Sequence, residues 1–305
     1  MIDGLASGEI PDPGFLSVPV ASVAAMDVTG YLARLGLEAE PPSEAALRRL
    51  HTAHVERVPY EALEIQLERP TPLEPSASLA RILRGRGGYC YHLNGAFSAL
   101  LHELGYQVTR HVGGVQGSAA DTPNLGRNHL ALTVTGLPED PTASWLVDAG
   151  LGDGIHEPLP LREGTYTQGP HTYRLRPSEV APGGWRFDHD PAGSFVGFDF
   201  DPGPAEMADF AEKHAWLSTA PESGFVRVCV IQRRDAAGVD TLRALTLNRH
   251  GAKELVDSPD AWWTAAADVF GITPDLFTAD ERDRLWRKVV TQHEAHASGG
   301  PVVAV

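Results

Sequence analysis

Cys90 stands where a glycine-rich segment gives way to an amphipathic one. Residues 84–89 read R-G-R-G-G-Y, and apolar side chains then recur at helical spacing as far as Gly105. This pattern predicts that Cys90 lies at the N-terminus of a helix, where free backbone N–H groups and the positive end of the helix dipole favour a thiolate. Because the same N–H groups are suited to binding an oxyanion, the position favours nucleophilic attack on an acyl carbon.

A thiolate nucleophile needs a proton acceptor, and His129 is the best placed histidine. It begins a β-type run, residues 129–134, which reads H-L-A-L-T-V. The next apolar run ends in Asp148, and a carboxylate is buried in such a place only for a reason. Neighbouring antiparallel strands lie about 4.8 Å apart, so Asp148 is expected to orient His129 while the other ring nitrogen faces Cys90. The sequence thus predicts a Cys-His-Asp triad.

Each of these residues also has a purely structural interpretation. A lone cysteine at a helix start is usually a small buried side chain, a strand histidine is usually hydrogen-bonded scaffolding, and an aspartate after a strand often caps a turn. The combination of all three is what favours catalysis. Cys229 lies in an alternating run, residues 225–231, without an obvious base, and is predicted to be an ordinary strand thiol.

Composition narrows the possible partners. The chain has 305 residues, and its 40 acidic and 25 basic side chains give a formal net charge of −15, which repels phosphate backbones and anionic lipid. Nucleic acid and membrane partners are therefore not expected. No run approaches the roughly 18 apolar residues that span a bilayer, and the first residues lack a basic secretory start, so a cytoplasmic location is expected. Two cysteines are too few for a disulfide framework or a cysteine-based metal site, and no metal is expected.

The character of the sequence divides the chain into four regions. Residues 1–25, rich in Gly, Pro, Ser and Ala, are expected to form a flexible extension. Residues 26–105 carry helical periodicity and predict a helical bundle. Residues 106–210 contain short β-rich runs separated by turn residues, which predict an antiparallel sheet or barrel. Residues 211–305 mix both patterns and predict an α/β lid, so the fold class is expected to be α+β.

Local signals place the elements within these regions. Asp27, Ser43 and Ser76 are good N-caps followed by apolar residues three and four apart, so they predict the starts of three helices. The other predicted elements are strands at 108–115, 129–134, 145–147, 185–187, 195–200, 225–231 and 241–247, and helices at 259–270 and 279–290. Helices are therefore expected first, strands next and a mixed region last.

Four short motifs follow one another along the chain: R-G-G-Y-C-Y at 86–91, N-G at 94–95, N-H-L at 128–130 and L-V-D-A-G-L-G at 146–152. Together they resemble the motifs of the arylamine N-acetyltransferases. The segment V-P-Y-E-A-L at 58–63 also resembles the I-P-F-E-N-L segment of that family. The resemblance implies a helical bundle, an antiparallel β-barrel and an α/β lid around a cysteine-protease-like Cys-His-Asp core, in the order that the element pattern also predicts.

The resemblance further implies acyl transfer in two steps. Cys90 would take the acetyl group of acetyl-CoA as a thioester, and an arylamine, hydrazine or arylhydroxylamine nitrogen would accept it, with His129 moving the protons. Acetyl-CoA is thus expected as co-substrate, a small molecule as acceptor, and Gly126 as a candidate contact of the cofactor. His92 departs from the family, in which many members have glutamate two residues after the cysteine, and this leaves the acceptor preference open.

Three other functions fit some of the same residues. An amide synthase of macrolactam biosynthesis shares this triad but takes its acyl group from a carrier protein, and the local motifs do not separate it from an acetyltransferase. A hydrolase of the cysteine-protease type fits the Cys, His, Asp order but not the flanking glycine and strand motifs. A non-catalytic protein that binds a small molecule is the third alternative, and the reactivity of the Cys90 thiol near neutral pH separates it from the enzymes.

Overall fold

The computed structural model describes residues 26–297. The α-helices are α1 (Val28–Leu35), α2 (Glu44–Arg57), α3 (Leu63–Gln66), α4 (Pro75–Leu83), α5 (Cys90–Glu103), α6 (Ala211–Thr219), α7 (Gly224–Arg227), α8 (Pro259–Phe270) and α9 (Ala279–Ala297). The strands are β1 (Tyr60–Glu61), β2 (Gln107–Gln116), β3 (His129–Leu137), β4 (Asp140–Val147), β5 (Leu159–Pro160), β6 (Gly164–Gln168), β7 (His171–Pro177), β8 (Trp185–Asp188), β9 (Gly197–Phe200), β10 (Val230–Asp235), β11 (Gly238–Arg243), β12 (Thr246–Arg249) and β13 (Ala252–Leu255). Short 3-10 helices lie at Met207–Phe210 and Pro274–Leu276. The extension expected at residues 1–25 lies outside the described residues.

The helix starts predicted after Asp27 and Ser43 are confirmed by their caps. The Asp27 carboxylate and the Ser43 hydroxyl each accept a hydrogen bond from a backbone amide of the first turn, at 2.8 and 3.1 Å. Helix α1 ends at Gly36, whose φ of 60° lies in the left-handed region that favours glycine. Helix α4 begins before its predicted cap Ser76, because Pro75 occupies the first helical position.

The middle of the chain forms an eight-stranded antiparallel sheet that curls into a nearly closed barrel. Its strand order is β5-β4-β3-β2-β9-β8-β7-β6. The outer strands β5 and β6 follow one another along the chain, and Tyr166 of β6 donates its hydroxyl hydrogen to the Pro160 carbonyl of β5 at 3.1 Å. Strands β3 and β4 are neighbours, with Leu132 opposite Val147, so the start of β3 lies beside the segment that follows β4. The predicted antiparallel barrel is confirmed.

A second sheet, in the order β1-β10-β11-β12-β13, joins the end of the chain to its beginning. Strand β1 follows α2 in sequence, yet it pairs with β10, and Tyr60 lies opposite Gln232. An isolated bridge between Tyr60 and Gly88 connects the same short strand to the segment before Cys90. The backbone of Tyr60 is therefore held on both sides, between the Cys90 segment and the C-terminal sheet.

Several element predictions for the C-terminal half are wrong in detail. The strand predicted at 225–231 begins only at Val230, because Ser223 opens the helical turn α7 before it. The strand predicted at 241–247 is two strands, because Ala244 has a left-handed φ of 48° and turns the chain between β11 and β12. Helix α6 and strands β6 and β7 lie where no element is predicted. The predicted helices at 259–270 and 279–290 are confirmed as α8 and α9, although α9 is longer.

Within residues 26–297, the apolar side chains form clusters that cross the predicted region boundaries. One cluster packs α1, α2, α4 and α5 against one face of β3 and β4, so the helices and the barrel share a core. Another covers the second sheet with α8 and α9. The aromatic residues of β7, β8 and β9 fill a third cluster inside the barrel. Domain boundaries at 105 and 210 stay a prediction. No helix in this part of the chain has the length and apolar character to traverse a bilayer.

Candidate active site

Cys90 is the first residue of α5, as the sequence predicts. Tyr89 before it is extended (φ −104°, ψ −174°), so the chain turns into the helix at the cysteine. The amides of His92 and Leu93 donate to the Tyr89 carbonyl, whereas the Cys90 and Tyr91 amides have no acceptor within residues 26–297. These two N–H groups are the free donors that a helix N-terminus presents to a ligand.

A buried carboxylate holds the segment that precedes α5. Glu61 is fully buried and accepts hydrogen bonds from the Gly87 amide at 3.2 Å and from the Arg86 guanidinium at 3.1 Å. Burial alone would raise the pKa of Glu61, but the charges of Arg86 and Arg81 outweigh burial and lower it. A Cβ on Gly87 would lie 1.7 Å from the Pro59 carbonyl oxygen, so only glycine fits there. The turn into α5 is therefore fixed by both charge and close packing.

His129 and Asp148 meet where β3 begins and β4 has just ended. His129 Nε2 lies 2.6 Å from Asp148 Oδ2, and the two side chains are 0% and 1% exposed. Burial disfavours the charged imidazolium, but the Asp148 carboxylate outweighs burial and raises the pKa of His129 to about 10, with a smaller contribution from Cys90. The two residues therefore form an imidazolium–carboxylate pair at neutral pH.

The second ring nitrogen of His129 is available to the cysteine. Within residues 26–297, Nδ1 is buried and makes no hydrogen bond of good geometry, yet Cys90 is close enough to contribute to the raised pKa of His129. The Cys90 thiol itself lies 3.6 Å from the carbonyl oxygen of Asn128, the neighbour of His129 in sequence. The structure thus brings together the three residues that the sequence singles out, and their catalytic roles stay a prediction.

Asn94, one turn after Cys90 on α5, joins the helix to both strands. Its amide nitrogen donates to Asp148 Oδ1 at 2.7 Å and to the Leu130 carbonyl at 2.6 Å, and its amide oxygen accepts from the Ala149 amide at 3.0 Å. The side chain is fully buried. The sequence alone predicts no role for Asn94. The only indication of one is that Asn94 belongs to the N-G motif that follows the cysteine.

Gly150 lets the segment after Asp148 approach α5 closely. A Cβ on Gly150 would lie 2.7 Å from Asn94 Nδ2 and 2.9 Å from Cys90 Cα, which are too short for carbon contacts. Its amide also donates to Asp148 Oδ1 at 2.9 Å, beside the bond from Asn94. Asp148 is therefore held on one oxygen by Asn94 and Gly150, and its other oxygen faces His129.

Cys90 and His129 line one cleft of about 740 Å³. Its apolar and aromatic wall comprises Tyr60, Val115, Leu151, Phe195, Leu217 and Phe225. Its polar wall comprises Ser118, Asp121, Thr122, Asn124, Asn128 and Arg227. A cleft of this size and character suits a small aromatic molecule with a few polar groups. Gly126 is exposed and is not among the residues that line the cleft, so its contact with a cofactor stays a prediction.

Cys229 lies apart from this cleft, in the apolar cluster of the second sheet. It precedes β10 rather than lying within a strand. Burial raises the pKa of its thiol to about 12, and the negative charge of Glu61 adds to that rise. The charge of Lys288 opposes this rise but is outweighed, so the thiol stays protonated, in agreement with a structural role for Cys229.

A set of three side chains in the second sheet has the composition of a metal site. Among the described residues, Asp235, Asp240 and His250 bring one ligand atom each to within 4.8 Å of the others. Arg233 and Arg249 already pair with Asp240, at 3.2 and 3.6 Å, which opposes binding of a further cation. Asp235 and Asp240 line no part of the Cys90 cleft, so we assign no chemistry to this set.

Comparison with known proteins identifies the family. A family model described as N-acetyltransferase matches residues 45–273. The arylamine N-acetyltransferase of Mycolicibacterium smegmatis is 33% identical over 263 residues, which cover 81% of this chain and 92% of that protein. The chain belongs to the arylamine N-acetyltransferase family. The resemblance drawn from the motifs is thereby confirmed, and the chain is a member of an enzyme family of acetyltransferases.

Other members and relatives of the family bear on its chemistry. The structure of the Mycobacterium marinum arylamine N-acetyltransferase in complex with CoA is 29% identical to this chain, with a TM-score of 0.75, and covers 86% of this chain and 98% of that one. Proansamycin X synthase of Amycolatopsis mediterranei is 33% identical over 162 residues, which cover 50% of this chain and 60% of that protein. The predicted fold class is confirmed by the first of these similarities.

His92, the departure from the family motif, lies behind the cleft rather than in it. Its Nε2 is 2.7 Å from Thr71 Oγ1, and its ring packs edge-on against Tyr89 with the ring centres 4.7 Å apart. Burial, and after it the charge of Arg81, lowers the pKa of His92, so the ring is neutral. His92 therefore supports the residue before Cys90, and its influence on acceptor preference stays a prediction.

Proposed function

We propose that this family member is an arylamine N-acetyltransferase in which Cys90 carries the acetyl group, His129 moves the protons and Asp148 orients His129. One observation supports this above the others. His129 uses one nitrogen in a 2.6 Å hydrogen bond to Asp148 and leaves the other without a partner beside a cysteine at a helix N-terminus. Among the described residues, His51, His54 and His92 also leave one buried ring nitrogen without a partner, so it is the cysteine beside the free nitrogen and the carboxylate on the other that set His129 apart.

The first step is transfer of the acetyl group from acetyl-CoA to Cys90. The thiolate attacks the acetyl carbonyl carbon, a new C–S bond forms, and the carbonyl electron pair moves to the oxygen. The free amides of Cys90 and Tyr91 are suited to stabilising that oxyanion. When the intermediate collapses, the bond to the CoA sulfur breaks, and the CoA thiolate takes the proton of the His129 imidazolium.

The second step transfers the acetyl group to nitrogen. The amine attacks the thioester carbon, and neutral His129 takes a proton from the nitrogen as the C–N bond forms. The bond to Cys90 then breaks, which releases the amide and restores the thiolate beside an imidazolium. Asp148 accepts the hydrogen bond of the His129 ring in both steps and holds the ring in the orientation that they require.

The residues that line the cleft are suited to binding both the aromatic acceptor and the acetyl donor. Phe195, Leu217 and Phe225 offer an apolar wall for an aromatic amine, hydrazine or hydroxylamine. Arg227 is exposed on the polar wall and offers positive charge to a phosphate of the donor. The relative from Mycobacterium marinum binds CoA, and acetyl-CoA is the donor that we propose here. The expected cytoplasmic location stays a prediction.

The similarity to proansamycin X synthase supports one alternative, an amide synthase of macrolactam biosynthesis. Such an enzyme would form the same Cys90 thioester, but it would take a larger acyl group from a carrier protein. The similarity covers half of this chain, against 81% for the acetyltransferase of Mycolicibacterium smegmatis, and we therefore favour acetyl transfer. A non-catalytic binding protein would form no thioester with either donor.

Intact-protein mass spectrometry separates these possibilities. The wild type and a Cys229→Ser variant should gain one acetyl group from acetyl-CoA and lose it when an arylamine or hydrazine is added, whereas a Cys90→Ser variant should gain none. Acetylation that persists in Cys90→Ser would refute the assignment of the nucleophile. Acylation by a carrier-bound thioester but not by acetyl-CoA would identify an amide synthase, and no acylation by either donor would identify a binding protein.

A further inference from the structure

Tyr60 lines the cleft with Cys90 and has a hydroxyl group that no protein group engages. Its side chain is 9% exposed, and within residues 26–297 the hydroxyl makes no hydrogen bond. The hydroxyl oxygen is not one of the buried side-chain atoms without a partner, so it is open to the cleft that Tyr60 lines. A ligand in the cleft can therefore reach it.

The other two tyrosines beside Cys90 differ in this respect. The Tyr89 hydroxyl hydrogen-bonds to the ring of His214, and the Tyr91 hydroxyl donates to the Arg127 carbonyl. Neither residue lines the cleft. The hydroxyl groups of Tyr89 and Tyr91 are thus hydrogen-bonded to protein groups. The hydroxyl group of Tyr60, which lines the cleft, is free to hydrogen-bond to a ligand.

The position of the Tyr60 ring is fixed before any ligand arrives. Its backbone pairs with Gln232 of β10 on one side and with Gly88 on the other. Its ring packs against Phe225, with the ring centres 6.4 Å apart. A polar group held in this way forms its hydrogen bond with little loss of conformational entropy, which favours selectivity.

The hydroxyl group acts as a neutral hydrogen-bond donor. Burial, and after it the negative charge of Cys90, raises the pKa of Tyr60 well above its usual value, so the phenol stays protonated. A protonated phenol donates to carbonyl, carboxylate and ether oxygens.

We propose that Tyr60 is a specificity-determining residue, whose hydroxyl donates a hydrogen bond to an oxygen substituent on the ring of the aromatic amine acceptor. The proposal rests on the proposed acetyl transfer and deepens it. Acceptors with a ring carbonyl or ether oxygen would be favoured over alkyl analogues of the same shape. An alkyl analogue would leave the Tyr60 donor buried without a partner, which is the costly arrangement.

A Tyr60→Phe variant tests this with one atom removed. The acetyl-enzyme is formed first, and its reaction is then followed with the para and meta isomers of methoxyaniline and ethylaniline, and of aminoacetophenone and isopropylaniline. The Tyr60 hydroxyl can reach a substituent at either the para or the meta position. In the series that it reaches, we expect the variant to lose roughly tenfold in kcat/KM for methoxyaniline and aminoacetophenone, and to react unchanged with ethylaniline and isopropylaniline. Because each amine is compared with itself in the two proteins, its basicity cancels.

A Tyr91→Phe variant is the matched control, since its hydroxyl serves the backbone and not the cleft. It should change both members of a pair by the same factor. An equal change for both members in Tyr60→Phe, or no change, would overturn the proposal, and so would a loss confined to the formation of the acetyl-enzyme.

Equilibrium binding separates this proposal from the proposed function. Dissociation constants of the same amines for the unacetylated protein require no acetyl transfer, and Tyr60→Phe should weaken binding of the oxygen-bearing amines alone. If the wild type forms no acetyl-enzyme, acetyl transfer is refuted, and the ratio of dissociation constants still decides the role of Tyr60. Equal ratios for the two members of each pair would refute that role.

Discussion

The two cysteines of this chain are almost equally buried, yet their surroundings differ in every way that matters to reactivity. Cys90 is 4% exposed and Cys229 is 2% exposed, so burial does not distinguish them. Cys90 begins a helix, lines a cleft and lies beside a histidine held by a carboxylate. Cys229 lies in an apolar cluster against the C-terminal helices. The comparison shows that the neighbours of a thiol, and not its exposure, set its chemistry.

The sign of the nearest charge is the central difference. His129 stays cationic because Asp148 raises its pKa to about 10, and a cation beside a thiol favours the thiolate. The charge that acts most on Cys229 is the carboxylate of Glu61, which together with burial raises the pKa of that thiol to about 12. Burial among apolar groups keeps Cys229 protonated, whereas Cys90 lies beside a buried ion pair.

Replacing Asp148 with asparagine should make the surroundings of Cys90 resemble those of Cys229, and it is the largest effect that we expect. The variant removes the charge that keeps His129 cationic and the acceptor that fixes its ring. Acetyl transfer should fall by on the order of 10⁴-fold, as in other triads that lose the orienting carboxylate. Steady-state turnover of acetyl-CoA and an arylamine measures this loss.

An Asp240→Asn variant is the control for that experiment, because Asp240 is as deeply buried but lies in the second sheet. It should lower stability by breaking its pairing with Arg233, with turnover per folded molecule retained. Undiminished turnover in Asp148→Asn would remove the carboxylate from the mechanism.

The sequence was sufficient to predict the three residues at the centre of this comparison. Each lies at an element boundary that has its own local signal. Glycines and an apolar helical stripe mark Cys90, a β-type run marks His129, and an apolar run that ends in an acid marks Asp148. Antiparallel pairing of successive strands then brings the last two together without any long-range information.

Residues that act between distant elements could not be predicted in this way. Asn94 has its role because α5 packs against the segments at Leu130 and Ala149, which no local pattern of α5 indicates. Tyr60 lines the cleft because β1 pairs with a strand near the other end of the chain. The alternation of residue types at 225–231 also predicts a strand, which is wrong for its first half. The helical turn that begins after Ser223 overrides the strand preference of the residues that follow.

Alkylation of the two thiols tests the comparison directly. At about pH 8, a pKa of about 12 leaves only about one Cys229 in 10⁴ as the thiolate. We expect iodoacetamide to modify Cys90 at least about 10²-fold faster than Cys229, and acetyl-CoA to protect Cys90 alone. Peptide mass spectrometry over a time course gives both rates. Slow labelling of both thiols at the same rate would remove the difference on which the nucleophile assignment depends.

Replacing Asn94 with alanine sharpens the comparison, because it leaves the charges of the site intact and disturbs only their placement. Acetyl transfer should fall by about 10- to 100-fold, as when supporting hydrogen bonds of other sites are removed. The pH profile of Cys90 alkylation should shift as well, since Asp148 would lose a donor at 2.7 Å.

Ser98→Ala serves as the control for Asn94→Ala. Ser98 is buried on the same helix, where it donates to the Gly95 carbonyl at 2.8 Å and accepts from Arg110 at 2.7 Å. Its loss should cost about 1–3 kcal/mol of stability without shifting the pH profile of Cys90 alkylation. A similar pH profile in both variants would mean that Asn94 supports the fold and does not position the triad.

The smallest effect that we expect is on stability against pH. The pKa of His129 is raised from 6.5 to about 10 in the folded protein, so its pairing with Asp148 stabilises the fold fully below about pH 6.5 and is lost as the pH rises toward 10. With the Cys90 thiol removed so that its ionisation does not offset that of His129, urea unfolding from about pH 7 to about pH 10 should therefore show a steeper fall in the free energy of unfolding for Cys90→Ser than for Cys90→Ser with His129→Gln. Cys229, whose pKa is raised from 9.0 to about 12, adds a fall of its own above about pH 9, but it does so equally in both proteins and cancels in the comparison. Equal slopes in the two proteins would mean that the imidazole is neutral in the folded state, and that the thiol of Cys90 has no cation beside it.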